Sequence, residues 1–531
     1  MPANPLAGPA ASRRRGPAPG PRTVLVLGAG PAGLLAAAAL APYAQDVLVV
    51  ERDAPDSAGL PDPPDPADPA DRTGDEENRT GDGKHRTGDG ERRTDDDGRR
   101  TRATRRGLPQ AQHAHMLWSG GADAIEALLP GTTAAWLGAG ANRVPVPAAM
   151  VALSPGGWYR LWPESHYLIA ASRPLLDAGV RSRLLAAHPN VRFLCGARPT
   201  ALLGSASRVT GARIRHDDGT DTEVPACVVV DATGRGSRAP HWLAALGLPP
   251  AASETVDPGV AYATRRYKAP APTRDWPVVT VQADARLGGP GRFGTVLPVE
   301  NDEWLVSVCG SRGGNPTGRN EDFEPFARGL RSPLVADLIA RAEPLSDVVL
   351  TRSTANRRFR YEKMPLPAGF LVLGDAACAL NPVYGHGLSV AAQGALAVRG
   401  TAARAAGRID SPAFTRRAQR ALARPAAAAW LLASGGDLHF PGCTGKSPGA
   451  LDGLAQRYIN RLIHTATGNH TATTALTEVM TLRSGAGTLF GPRVVWAAVT
   501  GPGQPRLSGP PLPPAVAEVL SRAPLPEARH R

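Results

Sequence analysis

The chain has 531 residues, 42% hydrophobic and 20% charged, enough for two or three regions packed around sizeable cores. Its 59 glycines and 53 prolines stay below the level of wholesale disorder, and collagen, coiled coil and membrane bundle are excluded. The net charge is +13, and all but four of the 60 basic residues (Lys84, Lys268, Lys363, Lys446) are arginine, a bias that suits a GC-rich coding genome; scattered without one basic stripe, they predict no nucleic-acid partner.

Residues 1–21 read as a disordered Pro/Ala-rich tail. Arg13-Arg14-Arg15 followed by the apolar stretch Val24–Leu40 imitates a twin-arginine export signal, but Gly28, Gly30, Pro31 and Gly33 interrupt the run. The pattern instead predicts a strand over Thr23–Leu27, a helix from Pro31 and a strand over Val47–Val50, the start of a βαβ unit. In that context the Gly28–Gly33 turn lets a pyrophosphate approach backbone N–H groups at a helix N-terminus. Glu51 closes the second strand, placed for the hydroxyls of an adenosine ribose, with Arg52 beside it as a further cofactor-binding candidate. This motif points to a dinucleotide without separating FAD from NAD.

Residues 56–104 break the pattern. Arg-Thr-Gly-Asp recurs from Arg72, Arg79 and Arg86, and Arg93-Thr94-Asp95 continues the seven-residue period. No position of that period is apolar, so a disordered insertion is expected between dinucleotide-binding segments at 22–55 and 105–240. Helical stretches are predicted near Met116–Leu129 and Pro174–Ala187, and short strands with a hairpin over Val191–Asp231. His113 and His115 lie on a turn without matching ligands, so packing or flavin contact is expected there and no metal. Alternating runs at Val278–Ala283, Arg292–Pro298 and Trp304–Cys309 predict an antiparallel sheet in a substrate domain over 241–351. Tyr262, Trp276, Phe293 and Trp304 are its candidate cavity-lining aromatics.

A third FAD-binding segment is expected over 352–410. There a strand at Phe370–Leu373 leads through Gly374-Asp375 to Pro382, Gly385 and Gly387. Asp375 at the strand end can accept from flavin ribityl hydroxyls, and the small residues of the Pro382–Gly387 loop let backbone lie against an isoalloxazine. A helix starting near Leu388 aims its N-terminus at the flavin N1/O2 edge. The two motifs together select FAD, with residues 411–531 largely helical. The fold class is therefore α/β: a Rossmann-like FAD-binding domain of the glutathione-reductase type, an antiparallel β-sheet substrate domain and a helical C-terminal region. The five cysteines are dispersed without a CxxC, which argues against disulfides and thiolate-bound zinc and suits a reducing cytoplasm. No run of about 18 unbroken apolar residues predicts a membrane span, and no membrane partner is expected.

The two glycine motifs resemble those of single-component FAD monooxygenases of the aromatic-hydroxylase type. The segments Arg105–His115, Ala171–Asp177, Val230–Arg238, Asp257–Arg265, Gly291–Gly294 and Thr354–Arg358 narrow the likeness. They resemble the flavin epoxidases of polyether ionophore biosynthesis, the monensin and lasalocid epoxidases, from residue 22 to past 440. The resemblance implies epoxidation of a polyene polyketide, free or carrier-protein-bound, by O2 held as a flavin C4a-hydroperoxide. It implies NAD(P)H as electron donor, directly or through a flavin reductase. It also implies that Arg173, with Arg106, contacts the flavin phosphate or ribityl region, and that Pro382, Gly385 and Gly387 wall the reacting oxygen with no acid–base residue. Thr233-Gly234 stands where aromatic hydroxylases usually carry Asp-Gly, and the Trp-x-Trp-x-Ile-Pro signature of flavin-dependent halogenases is absent. The alternatives are a hydroxylase of an aromatic or polyketide product, a flavin-dependent alkene reductase, and a non-catalytic protein whose insertion binds nucleic acid.

Overall fold

Alternation along Thr23–Leu27 sets the layers of the molecule: Val24 and Val26 enter one core, Leu25 and Leu27 another. Only a strand covered on both faces reads this way. The computed structural model, which describes residues 22–53, 112–352, 354–445 and 450–525, puts that strand at the centre of a five-stranded parallel sheet. The strand order is Phe370–Val372, Val228–Asp231, Thr23–Leu27, Asp46–Val50, Val191–Leu194. The tail 1–21, the insertion 56–104 and Arg106 lie outside the described residues.

Helices Pro31–Leu40, Ser119–Leu128, Arg173–Ala187 and Gly387–Arg404 cover one face. Pro31–Leu40 is apolar all round and buried at nine of its ten residues, because it lies between the sheet and the other helices. Leu34, Leu35 and Leu40 are fully buried and each contributes roughly 1.5–3 kcal/mol. The other face carries a three-stranded antiparallel sheet over Ala197–Pro225 and the helix Ala239–Ala245.

A second large sheet holds the expected antiparallel strands, observed as Ala261–Lys268, Val278–Val281, Arg292–Val299 and Glu303–Gly310. Its edge was not foreseen. Met150–Ser154 pairs parallel with Val278–Val281, and Gly157–Trp158 follows it, so the segment after residue 105 also contributes to this sheet. Helices Asn320–Arg328, Leu334–Ile339 and Pro514–Ser521 pack on its outer face. The expected helix at Met116–Leu129 begins as a strand, because Met116–Trp118 pairs antiparallel with His166–Ala170, and becomes helical only from Ser119. Helices Pro412–Asp437, Ala450–Ala466, His470–Met480 and Pro492–Thr500 complete the C-terminal part. Among the described residues, no helix is long and apolar enough to cross a membrane.

The architecture is thus α/β, with a Rossmann-like parallel-sheet domain, an antiparallel-sheet region and C-terminal helices.

Candidate functional site

From the central strand the chain moves first to Asp46–Val50 on one side and much later to Val228–Asp231 on the other. The crevice at such a reversal, beyond the carboxyl ends of the strands, is where open α/β sheets take ligands. Both glycine motifs border it.

Gly28 follows Leu27 at φ +100°, and its N–H donates to Val50 O at 2.8 Å. A Cβ on Gly28 would stand 2.7 Å from Ala232 O, and one on Gly33 would stand 1.8 Å from Gly28 O. The turn therefore admits no side chain at either position. Gly30 is the N-cap of Pro31–Leu40, and no described side chain caps that helix. Its first-turn N–H groups and the positive end of its dipole face the crevice. The buried Glu51 carboxylate accepts from Ala29 N–H at 3.0 Å and from Asp53 N–H at 3.2 Å, bracing the turn from the neighbouring strand. Arg52 reaches outward instead, with its side chain 58% exposed and Asp53 at 3.8 Å.

Asp375 stands on the turn Gly374–Ala376 that ends Phe370–Val372. A Cβ on Gly374 would lie 2.7 Å from Ala32 Cβ, and one on Gly387 would lie 3.7 Å from Asp375 Oδ1. The starts of both long helices and the Asp375 carboxylate therefore meet at one place. Gly387–Arg404 likewise lacks a side-chain cap, and Leu388 in its first turn is half-buried against the helical core. Arg235 joins them: Nε lies 3.6 Å from Asp375 Oδ2, Nη1 donates to Ala355 O at 2.7 Å, and Nη2 donates to Leu380 O. Burial raises the Asp375 pKa, against the pull of Arg235, Arg173 and Arg357. Arg173 opens its helix and donates from Nε to Asp177 Oδ1 at 2.8 Å. Its charge acts on both Asp375 and His115. A cation at a helix N-terminus opposes the helix dipole, and an anion in the crevice would offset that repulsion.

His113 is buried with Nδ1 2.7 Å from Thr264 Oγ1 and Nε2 2.9 Å from Thr351 Oγ1, and its ring packs edge-on against Tyr262. It pins the segment entering the site onto the large sheet. His115 Nδ1 donates to His113 O at 2.7 Å, and burial together with Arg173 holds its pKa down to about 3.

The third wall is the turn Pro382–Gly385. Trp118 Nε1 donates to Tyr384 O at 3.1 Å, Gly385 takes φ +67°, and His386 Nε2 donates to Met480 O at 2.9 Å. Across from it stands the inner face of the large sheet. Val260, Tyr262 and Cys309 pack there with Phe293 and Val383, and Phe440 meets Phe293 edge-on at 5.7 Å. The buried Tyr262 hydroxyl has no partner among the described residues, and the charges of Arg235 and Asp375 act on it.

Two expected pocket residues are corrected. Trp304 and Trp276 stand on the outer face of the sheet, 5.1 Å apart between ring centroids, in the core formed with Phe323 and Leu338. Strand alternation decides this: Trp304, Val306 and Val308 point outward, while Leu305 and Cys309 point inward. Arg235, Phe440, Trp118, Val260 and Cys309 were not singled out from sequence as site residues. Arg235 carried a local signal, since it follows a strand inside a glycine-flanked turn; Phe440 carried none.

Two uncapped helix starts beside the Asp375 carboxylate, and the buried Tyr262 hydroxyl without a described partner, fit an elongated ligand with an anionic middle. FAD, which the sequence motifs imply, has that shape and charge.

No model of a known protein family matches the chain. Among curated proteins it is similar to Protein Rv3254 of Mycobacterium tuberculosis (strain ATCC 25618 / H37Rv), 28% identical over 354 residues that cover 64% of this chain and 73% of that protein. Among solved structures it is similar to the flavin-dependent brominase Bmp2, with a TM-score of 0.57 at 15% identity over 86% of this chain and 92% of that one. The myxobacterial chondrochloren halogenase CndH, a variant of FAD-dependent halogenases, gives a TM-score of 0.53 at 15% identity over 87% and 97%. At these identities the shared property is the fold.

Proposed function

We propose that the chain is an FAD-dependent monooxygenase that transfers one oxygen of O2 to alkenes of a polyene polyketide, forming epoxides, in polyether antibiotic biosynthesis. One juxtaposition carries this reading: an apolar wall of Val260, Phe293, Cys309 and Phe440, with the single hydroxyl of Tyr262, faces the Pro382–Gly385 turn. The sequence resemblance to polyether epoxidases supports the finer class, and the flavin enzymes that share the fold support the cofactor.

When bound, FAD would supply the electrons that activate O2, and O2 would supply the oxygen atom. The chain's own residues bind, orient and exclude water. The Gly28–Gly33 turn and the start of Pro31–Leu40 hold the diphosphate, and Glu51 holds the adenosine ribose. Asp375, Arg235 and Arg173 hold the ribityl and phosphate region, and the helix start at Gly387 turns its positive end to the ring edge. The apolar wall keeps water out and aligns the alkene over the turn. Epoxidation of an alkene needs no protein base. Burial raises the pKa of both the Cys309 thiol and the Tyr262 hydroxyl, so the wall is uncharged at neutral pH. Electrons come from NAD(P)H, directly or through a separate flavin reductase.

A competition assay tests the reading. The enzyme is given FAD, NADPH, a polyketide with a trisubstituted alkene, a phenol, and an arene with bromide, with and without added flavin reductase. The alkene alone is expected to react, giving an epoxide that opens to a diol in acid. A hydroxylated or brominated ring would overturn the assignment, and a saturated alkene would favour the reductase.

A further inference from the structure

The long helix Pro412–Asp437 ends in the interior of the molecule, where its last residue is 1% exposed. The Asp437 carboxylate accepts at Oδ2 from Asn356 Nδ2 at 2.7 Å and from Asn381 Nδ2 at 2.9 Å. At Oδ1 it accepts from the Tyr384 hydroxyl at 2.9 Å. The partners are linked in turn: Asn381 N–H donates to Asn356 Oδ1 at 2.7 Å, and Val383 N–H donates to Asn381 Oδ1 at 3.3 Å.

Keeping a carboxylate in such a place is costly, and the cost is recovered only if its lone pairs are met by donors. Three side-chain donors meet this one. An amide in its place has a single acceptor oxygen and an alkyl group has none. Two of the three donors, Asn381 and Tyr384, flank or belong to the Pro382–Gly385 turn. The third, Asn356, fixes the backbone of Asn381 directly. The network is therefore a clamp between the C-terminal helix and that turn, and the turn backbone has no other described side-chain anchor besides Trp118.

We propose that Asp437 is a positioning residue. Acting through Asn381 and Tyr384, it sets the Pro382–Gly385 turn against the cofactor ring and makes the C-terminal helix a structural part of the site, a role that rests on the FAD assignment above. The same helix provides a control. Thr415 is equally buried and accepts from Gly369 N–H at 2.9 Å, at the end of the strand remote from the crevice.

The test uses full-length Asp437→Ala, Asp437→Asn and Thr415→Val with two readouts. Hydrogen–deuterium exchange over residues 381–387 is followed in the cofactor-free protein. FAD affinity and the visible spectrum of the bound flavin are measured in the loaded protein. Asp437→Ala is expected to speed exchange at the turn and weaken FAD by about tenfold, with an altered bound spectrum. Asp437→Asn should recover part of both, because its amide keeps one acceptor and Tyr384 can turn to accept from its NH2. Thr415→Val should lower Tm and leave both readouts unchanged. Unchanged exchange in Asp437→Ala would overturn the clamp, and faster exchange with wild-type FAD affinity and spectrum would overturn the positioning role. Wild-type protein that binds no FAD would instead sink the cofactor assignment, with exchange still deciding the clamp. Should the alanine variant fail to fold, Tyr384→Phe deletes one of the three bonds and carries the same readouts.

Discussion

His113 lies 2% exposed between Thr264 and Thr351, and burial lowers its pKa from 6.5 to about 4. A histidine whose folded pKa lies below its unfolded value contributes stability that is complete above pH 6.5 and is lost as pH falls towards 4. The loss is about 1.4 kcal/mol per pH unit, about 3 kcal/mol in all. His113→Gln is therefore expected to be less stable than wild type at pH 7.5, with the difference shrinking between pH 6.5 and 4.5; parallel denaturation curves across that range would contradict it. Tyr262 gives a prediction of the opposite sign. Its hydroxyl is buried without a described partner, so Tyr262→Phe should leave the cofactor-free protein as stable or about 1 kcal/mol more stable. The same variant should gain less Tm than wild type when FAD and substrate are added. Of these two residues the sequence showed the aromatic and the imidazole but not their partners, because Thr264 and Thr351 lie 151 and 238 positions from His113.

The elements most legible in the sequence are those whose own backbone demands a residue type. Gly28 needs φ +100° and Gly33 has no room for a Cβ, so strand, turn and helix were readable from their spacing alone. Gly28→Ala should cost about 2–3 kcal/mol and abolish FAD retention; a variant with wild-type Tm that purifies with full FAD would refute that role. Elements defined by distant pairing were less legible. Met116–Trp118 carries apolar residues that suit a helix, and only its partner at His166–Ala170 makes it a strand. Trp276 and Trp304 read as pocket aromatics on the same terms as Tyr262 and Phe293. Which face Trp304 occupies depends on the register of its strand, and a shift of one residue would have turned it to the other face. Asp437 had no local signal at all, since its partners come from two other segments of the chain, at Asn356 and at Asn381–Tyr384.

At the scale of the molecule, a crevice built by the parallel sheet meets a wall built by the antiparallel one at the Pro382–Gly385 turn. The strand before the second glycine motif was readable, and Phe370–Val372 joins the parallel sheet beside Val228–Asp231. The contribution of Met150–Trp158 to the large sheet was not, because its pairing with Val278–Val281 spans over a hundred residues. Cofactor binding should appear as linkage: FAD at about 100 times its Kd should add about 2.7 kcal/mol to wild-type stability. Oxygen transfer from O2 to an alkene is read by mass spectrometry of the polyketide product formed under 18O2. One labelled oxygen per epoxide is expected, and none from labelled water. Flavin that is reduced and reoxidised in the presence of the alkene, yielding only peroxide and unlabelled polyketide, would contradict it.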